Sequence, residues 1–211
     1  MTTTQIIAKQ GWIGALVLLG AFLLTLWFDW NLCAFVLFVL LVLWLIMFRN
    51  PERIPNINES NAFTSPVDGI IRDIQSIEGE INILIETRFI DVGVIRAPYD
   101  VVKGECQQKR GLSLTCCAKD KTNLLNASMS FQSLEDRKFT LDFYPIFFSS
   151  HHIFASSDLN VGERIGFMKD GMTRINIPQQ KGLNAAEVEL KVSIGDRVKA
   201  LQSVIGYFYE V

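Results

Sequence analysis

Two apolar runs held apart by the triplet Asp29-Trp30-Asn31 constrain this chain more than any other feature. From Gly11 to Phe48 the only ionisable side chains are Asp29 and Cys33. The first run, Gly11–Phe28, and the second, Leu32–Phe48, sit at the short end of what crosses a bilayer as a helix at about 1.5 Å per residue. A single helix through both would place Asp29 and Asn31 near its centre, where polar groups are costly. A helical hairpin moves them to one end. Trp12, Trp27, Trp30 and Trp44 mostly lie near the helix ends, where amphipathic rings prefer to sit. A cleaved signal peptide fits poorly, because a second apolar run follows at once. The pattern therefore predicts a transmembrane hairpin over about 6–28 and 32–48. Lys9, Arg49 and Arg53 stand on the side of both its ends, opposite Asp29. The positive-inside bias then predicts a membrane protein with its remaining domain in the cytoplasm.

Charge and cysteines narrow the field further. The net charge is −2 and no Lys/Arg cluster stands out, so nucleic-acid binding is not expected. Cys33, Cys106, Cys116 and Cys117 show no C-x-x-C spacing, which argues against zinc and against a disulfide framework. No metal site is expected.

Beyond a linker over 49–62 the pattern becomes strand-like. Ile70–Ile74, Ile81–Ile85, Phe89–Ile95, Leu112–Cys116, Ser128–Phe131, Lys138–Phe143 and Arg174–Ile177 are rich in β-branched and aromatic residues. Only Thr122–Ala127 and Asn184–Glu187 hint at helix, and both are short. The run Val192–Gly206 reads as a local hairpin about Gly195-Asp196, similar to an edge of biotinyl and lipoyl carrier domains. Asp170-Gly171 reads as a tight turn that puts Lys169 near a hairpin tip. The fold class expected over 63–211 is a mainly β, hairpin-rich, barrel-sandwich-like domain behind the helical hairpin.

Three motifs in order then suggest a family. F-R-N-P-E-R stands at 48–53, S-P-V-D-G at 65–69 and V-G-V-I-R-A-P-Y-D at 92–100. N-L-L-N at 123–126, S-H-H-I at 150–153 and L-N-V-G-E-R-I-G-F-M-K at 159–169 extend the match more weakly. From about residue 48 on, the chain resembles the short, membrane-anchored phosphatidylserine decarboxylases of bacteria and archaea. The resemblance implies a pyruvoyl enzyme, in which a serine attacks the carbonyl before it, the chain splits, and the new ketone serves as an electron sink. An aspartate and a histidine assist that serine.

Carried over by position, the aspartate is Asp68. The histidine falls on Gly93 and the serine on Met172, in D-G-M-T at 170–173. Gly171 and Thr173 are retained, the motif arginine is Arg96, and the paired arginines fall on His151 and His152. A thioether has no proton to lose, and glycine cannot act as a base. The expectation is therefore a decarboxylase-like membrane protein that is catalytically degenerate and makes no pyruvoyl cofactor. It would bind a lipid head group or a partner through Arg96, His152, Gly171 and Arg174. The expected partners are the phospholipid membrane, an aminophospholipid head group, and an active paralogue or a second copy. Two alternatives stand beside it: a working lyase that uses a residue such as Thr173, and a structural membrane adaptor.

Overall fold

The computed structural model describes residues 7–54, 61–77, 79–108, 127–132, 137–150, 159–179 and 186–210. The chain divides into two compact units, Met1–Glu52 and Arg53–Val211.

In the first unit a 3-10 turn, Lys9–Gly11, leads into α1, Trp12–Trp27, and α2, Asn31–Met47. Asp29 takes a left-handed conformation (φ 54°) in the turn between them, which a short polar side chain tolerates. The helices close on small residues. Ala15 and Ala34 are buried, and Gly14 makes room for the Trp44 ring, which an added Cβ would meet at 2.2 Å. The Trp44 indole in turn donates to the Gly11 carbonyl at 2.9 Å. A bridge between Ile7 and Arg49 and a bond from Ala8 N to the Phe48 carbonyl (2.9 Å) join the two ends of the hairpin.

Most of the outer side chains of both helices are apolar and exposed, Ile13 and Leu32 by more than three quarters. The first helix nevertheless falls short of the expected 6–28, while the second keeps the length expected of it. Helices of 16 and 17 residues span about 24–26 Å, against a hydrocarbon core of about 30 Å. Among the described residues no helix is long and apolar enough to cross a membrane. The first run is trimmed because Gly11 is taken into the preceding turn and Phe28 into the bend.

The second unit is mainly β, as expected. Its strands are β1 Ala62–Thr64, β2 Gly69–Ile77, β3 Glu80–Thr87, β4 Val94–Arg96, β5 Lys103–Gln108, β6 Ala127–Gln132, β7 Lys138–Ser150, β8 Arg164–Pro178, β9 Ala186–Leu190, β10 Arg197–Val198 and β11 Val204–Glu210. The large sheet runs β10-β2-β3-β8-β7-β6-β5, and β4 also pairs with β8. A small sheet runs β1-β11-β9. Every described pairing is antiparallel.

Strict alternation in β3, with Ile81, Ile83 and Ile85 inside, marks a sheet with one buried face. Those isoleucines pack with Ile71, Phe139, Leu141, Ile165 and Ile175. Phe63 meets both Phe139 and Phe208 edge-on, at 5.2 and 5.7 Å between ring centroids. Arg137 enters this layer because its charge is served: it donates to the Tyr99 hydroxyl at 2.7 Å and lies over the Phe208 ring at 5.0 Å.

Several local expectations are corrected. Phe89–Ile95 is not a strand: a turn at Arg88–Asp91, closed by Asp91 N on the Arg88 carbonyl, interrupts it, and β4 begins at Val94. The Gly195-Asp196 turn forms, with Ser193 N on the Asp196 carboxylate at 2.7 Å. Immediately beside the turn the chain does not close into the expected hairpin, because β10 joins β2; the pairing comes farther out, where Lys191 N donates to the Ile205 carbonyl at 2.8 Å and β9 joins β11. The helix expected at Asn184–Glu187 runs into β9, and Ala127 opens β6. Residues 122–126 and the strand expected at Leu112–Cys116 lie outside the described residues.

Candidate functional site

The S-P-V-D-G segment bridges β1 and β2 and is fastened on three sides. Ser65 N donates to the Ser203 carbonyl, Leu201 N to the Ser65 carbonyl and Arg96 N to the Pro66 carbonyl, each at 2.9 Å. This aims the Asp68 side chain inward, where it is almost fully buried. Both of its oxygens are occupied. Arg53 grips the carboxylate with two nitrogens, the Nη2–Oδ2 contact measuring 2.6 Å, and Ala200 N donates to Oδ1 at 2.8 Å. Arg53 Nη1 also donates to the Ala200 carbonyl at 3.0 Å. A bidentate, charge-assisted pair of this kind is strong and holds its geometry. Asp68 is therefore a clip between the Arg53 segment and the Ala200 turn. Sequence reasoning missed Arg53 as its partner, although that residue closes the F-R-N-P-E-R motif.

The backbone then gathers the other positions. The Asp68 carbonyl accepts from the Thr87 hydroxyl at 2.8 Å, and Thr87 stands opposite Gly171 across β3 and β8. The Gly93 carbonyl accepts from Met168 N at 2.8 Å. Asp68, Gly93 and Gly171 thus converge along one stretch of β8. Gly93 has no space for a side chain: an added Cβ would lie 2.8 Å from the Met168 carbonyl and 3.0 Å from the Phe167 ring.

Beside them lies a polar cluster that no motif announced. The fully buried Lys169 donates to the Asp91 carbonyl at 2.6 Å. The Asp91 carboxylate takes Arg197 Nη2 at 2.7 Å and Arg88 N at 3.0 Å. Lys169 is therefore not near an exposed hairpin tip. The alternation of β8 carries the only sequence signal for this, since Lys169 shares parity with Thr173, Ile175 and Ile177.

The expected turn at Asp170-Gly171 is likewise absent. β8 runs unbroken through it, with β3 on one side and β7 on the other from Gly171 to Asn176. Pairing on both edges overrides the turn preference of the dipeptide. Gly171 keeps a glycine-like backbone (φ 154°), and an added Cβ would meet the Tyr144 carbonyl at 2.4 Å. The neighbouring β7 has an irregularity here, between Pro145 and Phe147.

Along a strand, successive side chains point to opposite faces. Thr173 is fully buried between the register partners Ile85 and Phe143, and its hydroxyl has no hydrogen-bond partner. Met172 and Arg174 occupy the outer face, opposite Tyr144 and Asp142. The Arg174 guanidinium lies 5.3 Å from the centre of the Tyr144 ring. Burial raises the Tyr144 phenol's pKa; Arg174 opposes that shift and Asp142 adds to it. Burial, and secondarily the Glu86 carboxylate, raise the Asp170 carboxyl.

Arg96 is buried and donates to the Gly162 carbonyl at 3.0 Å, so it braces a loop. Arg96 and Arg174 therefore do not form one binding cluster: the first is spent inside and the second faces out. His152, like His151, lies outside the described residues. No group of metal-ligating side chains occurs among the described residues.

Chemically, the assembled positions offer a buried hydroxyl with apolar neighbours, a carboxylate already paired, and no imidazole among the described residues. Of these, the carboxylate is not free to serve the hydroxyl as a base, because Arg53 and Ala200 N occupy it. Comparison with protein-family models, curated proteins and solved structures finds no match for this chain.

Proposed function

We propose that this chain is a non-catalytic, decarboxylase-like domain attached to a phospholipid bilayer by its helical hairpin, acting there through binding of an aminophospholipid head group or a partner protein. The observation that carries the non-catalytic half is the state of the three inherited positions. Asp68 is committed to Arg53 and Ala200, Gly93 has no room for a base, and Met172 offers no acidic proton. The membrane half is supported by the exposed apolar surface of α1 and α2 and by Lys9, Arg49 and Asp29 at their ends. The charge bias supports a cytoplasmic side for the hairpin's open end.

The orphaned Thr173 hydroxyl favours a second reading, a lyase using that residue. Attack of the hydroxyl on the Met172 carbonyl would turn the amide into an ester and free the Thr173 nitrogen; β-elimination would release the Met172 carboxylate, and hydrolysis of the resulting enamine by water, with loss of ammonia, would leave a 2-oxobutanoyl terminus.

One experiment separates the two. The intact mass of the purified full-length protein is expected to be that of a single uncut chain of 211 residues. Two fragments meeting at residue 172 or 173, the smaller with a blocked terminus, would overturn the non-catalytic reading. Co-flotation of the same protein with phospholipid vesicles tests the membrane half.

A further inference from the structure

The outer face of the large sheet carries two cross-strand rows whose chemistry the proposal above leaves unused. In the first, Asp73 on β2 stands opposite Leu84 on β3, and Leu84 opposite Arg174 on β8. In the second, Gln75, Asn82 and Asn176 stand in the same order. Apart from Asn176, which stands beside it, these residues line an open groove of about 230 Å³ together with Ile83. With strands about 4.8 Å apart, the backbones of Asp73 and Arg174 lie about 10 Å from each other.

Both charges lack an opposite charge. Among the described residues Asp73 has no cationic partner: its Oδ2 accepts only the neutral amide of Gln75, at 2.6 Å. Arg174 likewise forms no ion pair among the described residues, although Asp142 is its register partner. Stacking on Tyr144 holds its guanidinium in place and leaves its donors unspent. Asn176 adds a buried amide oxygen with no hydrogen-bond partner, while its nitrogen donates to Glu80 at 3.1 Å. A carboxylate and a guanidinium that face one groove across an apolar floor, without meeting each other, suit a molecule that carries both complementary charges.

We infer that this groove binds a small zwitterion, its primary ammonium at Asp73 and its phosphate or carboxylate at Arg174, with Gln75 and Asn82 bonding the atoms between. The groove's small volume suits a ligand of head-group size. A planar guanidinium donates in pairs to an oxyanion, and an ammonium's three donors suit a carboxylate flanked by amides. This deepens the head-group reading: of the residues expected to bind, Arg96, His152, Gly171 and Arg174, it keeps Arg174 and adds Asp73, Gln75 and Asn82 on the outer face. It rests on the membrane reading only for the source of the ligand.

The test titrates the full-length protein in neutral detergent micelles with glycerophosphoethanolamine, glycerophosphate, ethanolamine and glycerophosphocholine. Saturable binding of glycerophosphoethanolamine is expected, tenfold or more tighter than either half-molecule and tighter than the choline compound, which has no N–H donor. Asp73→Asn is expected to abolish the preference over glycerophosphate and keep the preference over ethanolamine. Arg174→Gln is expected to do the reverse, a crossed pattern that misfolding does not produce. The absence of saturable binding in the parent, or the same preferences in both variants, would overturn the inference.

Vesicles containing phosphatidylethanolamine distinguish the source. Competition with the soluble probe points to a lipid-borne head group, and lack of competition to a free zwitterion; either supports the groove. Binding by a protein that fails to float with vesicles would remove the membrane reading and leave the groove standing.

Discussion

At the scale of single residues, Asp68 shows how a motif position and its role come apart. The S-P-V-D-G segment marks it in the sequence, but its partner stands fifteen residues earlier and its second contact is the backbone of Ala200. Neither is readable from spacing, because both depend on how the chain closes. The side chains of Asp68 and Arg53 are about nine-tenths buried, so removing one strands the other's charge. Truncating one member of such a pair costs about 3–5 kcal/mol. Asp68→Ala and Arg53→Ala are each expected to lose stability on that order in denaturant titrations, and the double variant to lose clearly less than their sum. An additive double variant would mean that the pair is not coupled. Lys169 was hidden by the opposite failing: a lysine next to Asp-Gly reads as surface, and only the parity of β8 assigns it to the inner face.

Individual elements were most legible where alternation was longest. The cores of β2, β3, β6, β7 and the C-terminal half of β8 were marked by β-branched and aromatic runs. Legibility failed at β5, whose K-G-E-C-Q-Q carries no apolar alternation, and at β8, where a turn dipeptide sits inside a strand paired on both edges. The hairpin was legible as two helices, and the apolar runs Gly11–Phe28 and Leu32–Phe48 locate the helix ends to within a residue, the capping turns at Gly11 and Phe28 setting the bounds of the first. Gly171 is the position where β8 depends most on its sequence. A methyl group there would meet the Tyr144 carbonyl and the Pro145 backbone, in a conformation that side chains rarely adopt. Gly171→Ala is expected to destabilise the β unit by about 1–3 kcal/mol, the usual cost of overpacking. A melting temperature unchanged from the parent would show that the bulged segment of β7 yields instead.

For the molecule as a whole, the informative feature is that the second unit completes its own core. The packed residues run from Phe63 to Phe208, and the Asp68 clip closes with Arg53 of the same unit. A fragment beginning at Arg53 is therefore expected to fold without residues 1–52. It should unfold cooperatively, as judged by circular dichroism, and remain in solution without detergent, whereas the full chain should require detergent. A fragment lacking a cooperative transition would show that the hairpin is needed for folding.

The place of β8 in the large sheet has a consequence for the order of events during synthesis. It is the central member, bordered by β3, β4 and β7, yet it begins only at Arg164. Its pairings with β3 and β4 join segments about 70 to 100 residues apart, and such long-range closures are slow. The N-terminal hairpin leaves the ribosome long before the strand that unites the sheet has been made. Until β8 is made, β2 and β3 must wait as a pair with one edge of β3 unclaimed.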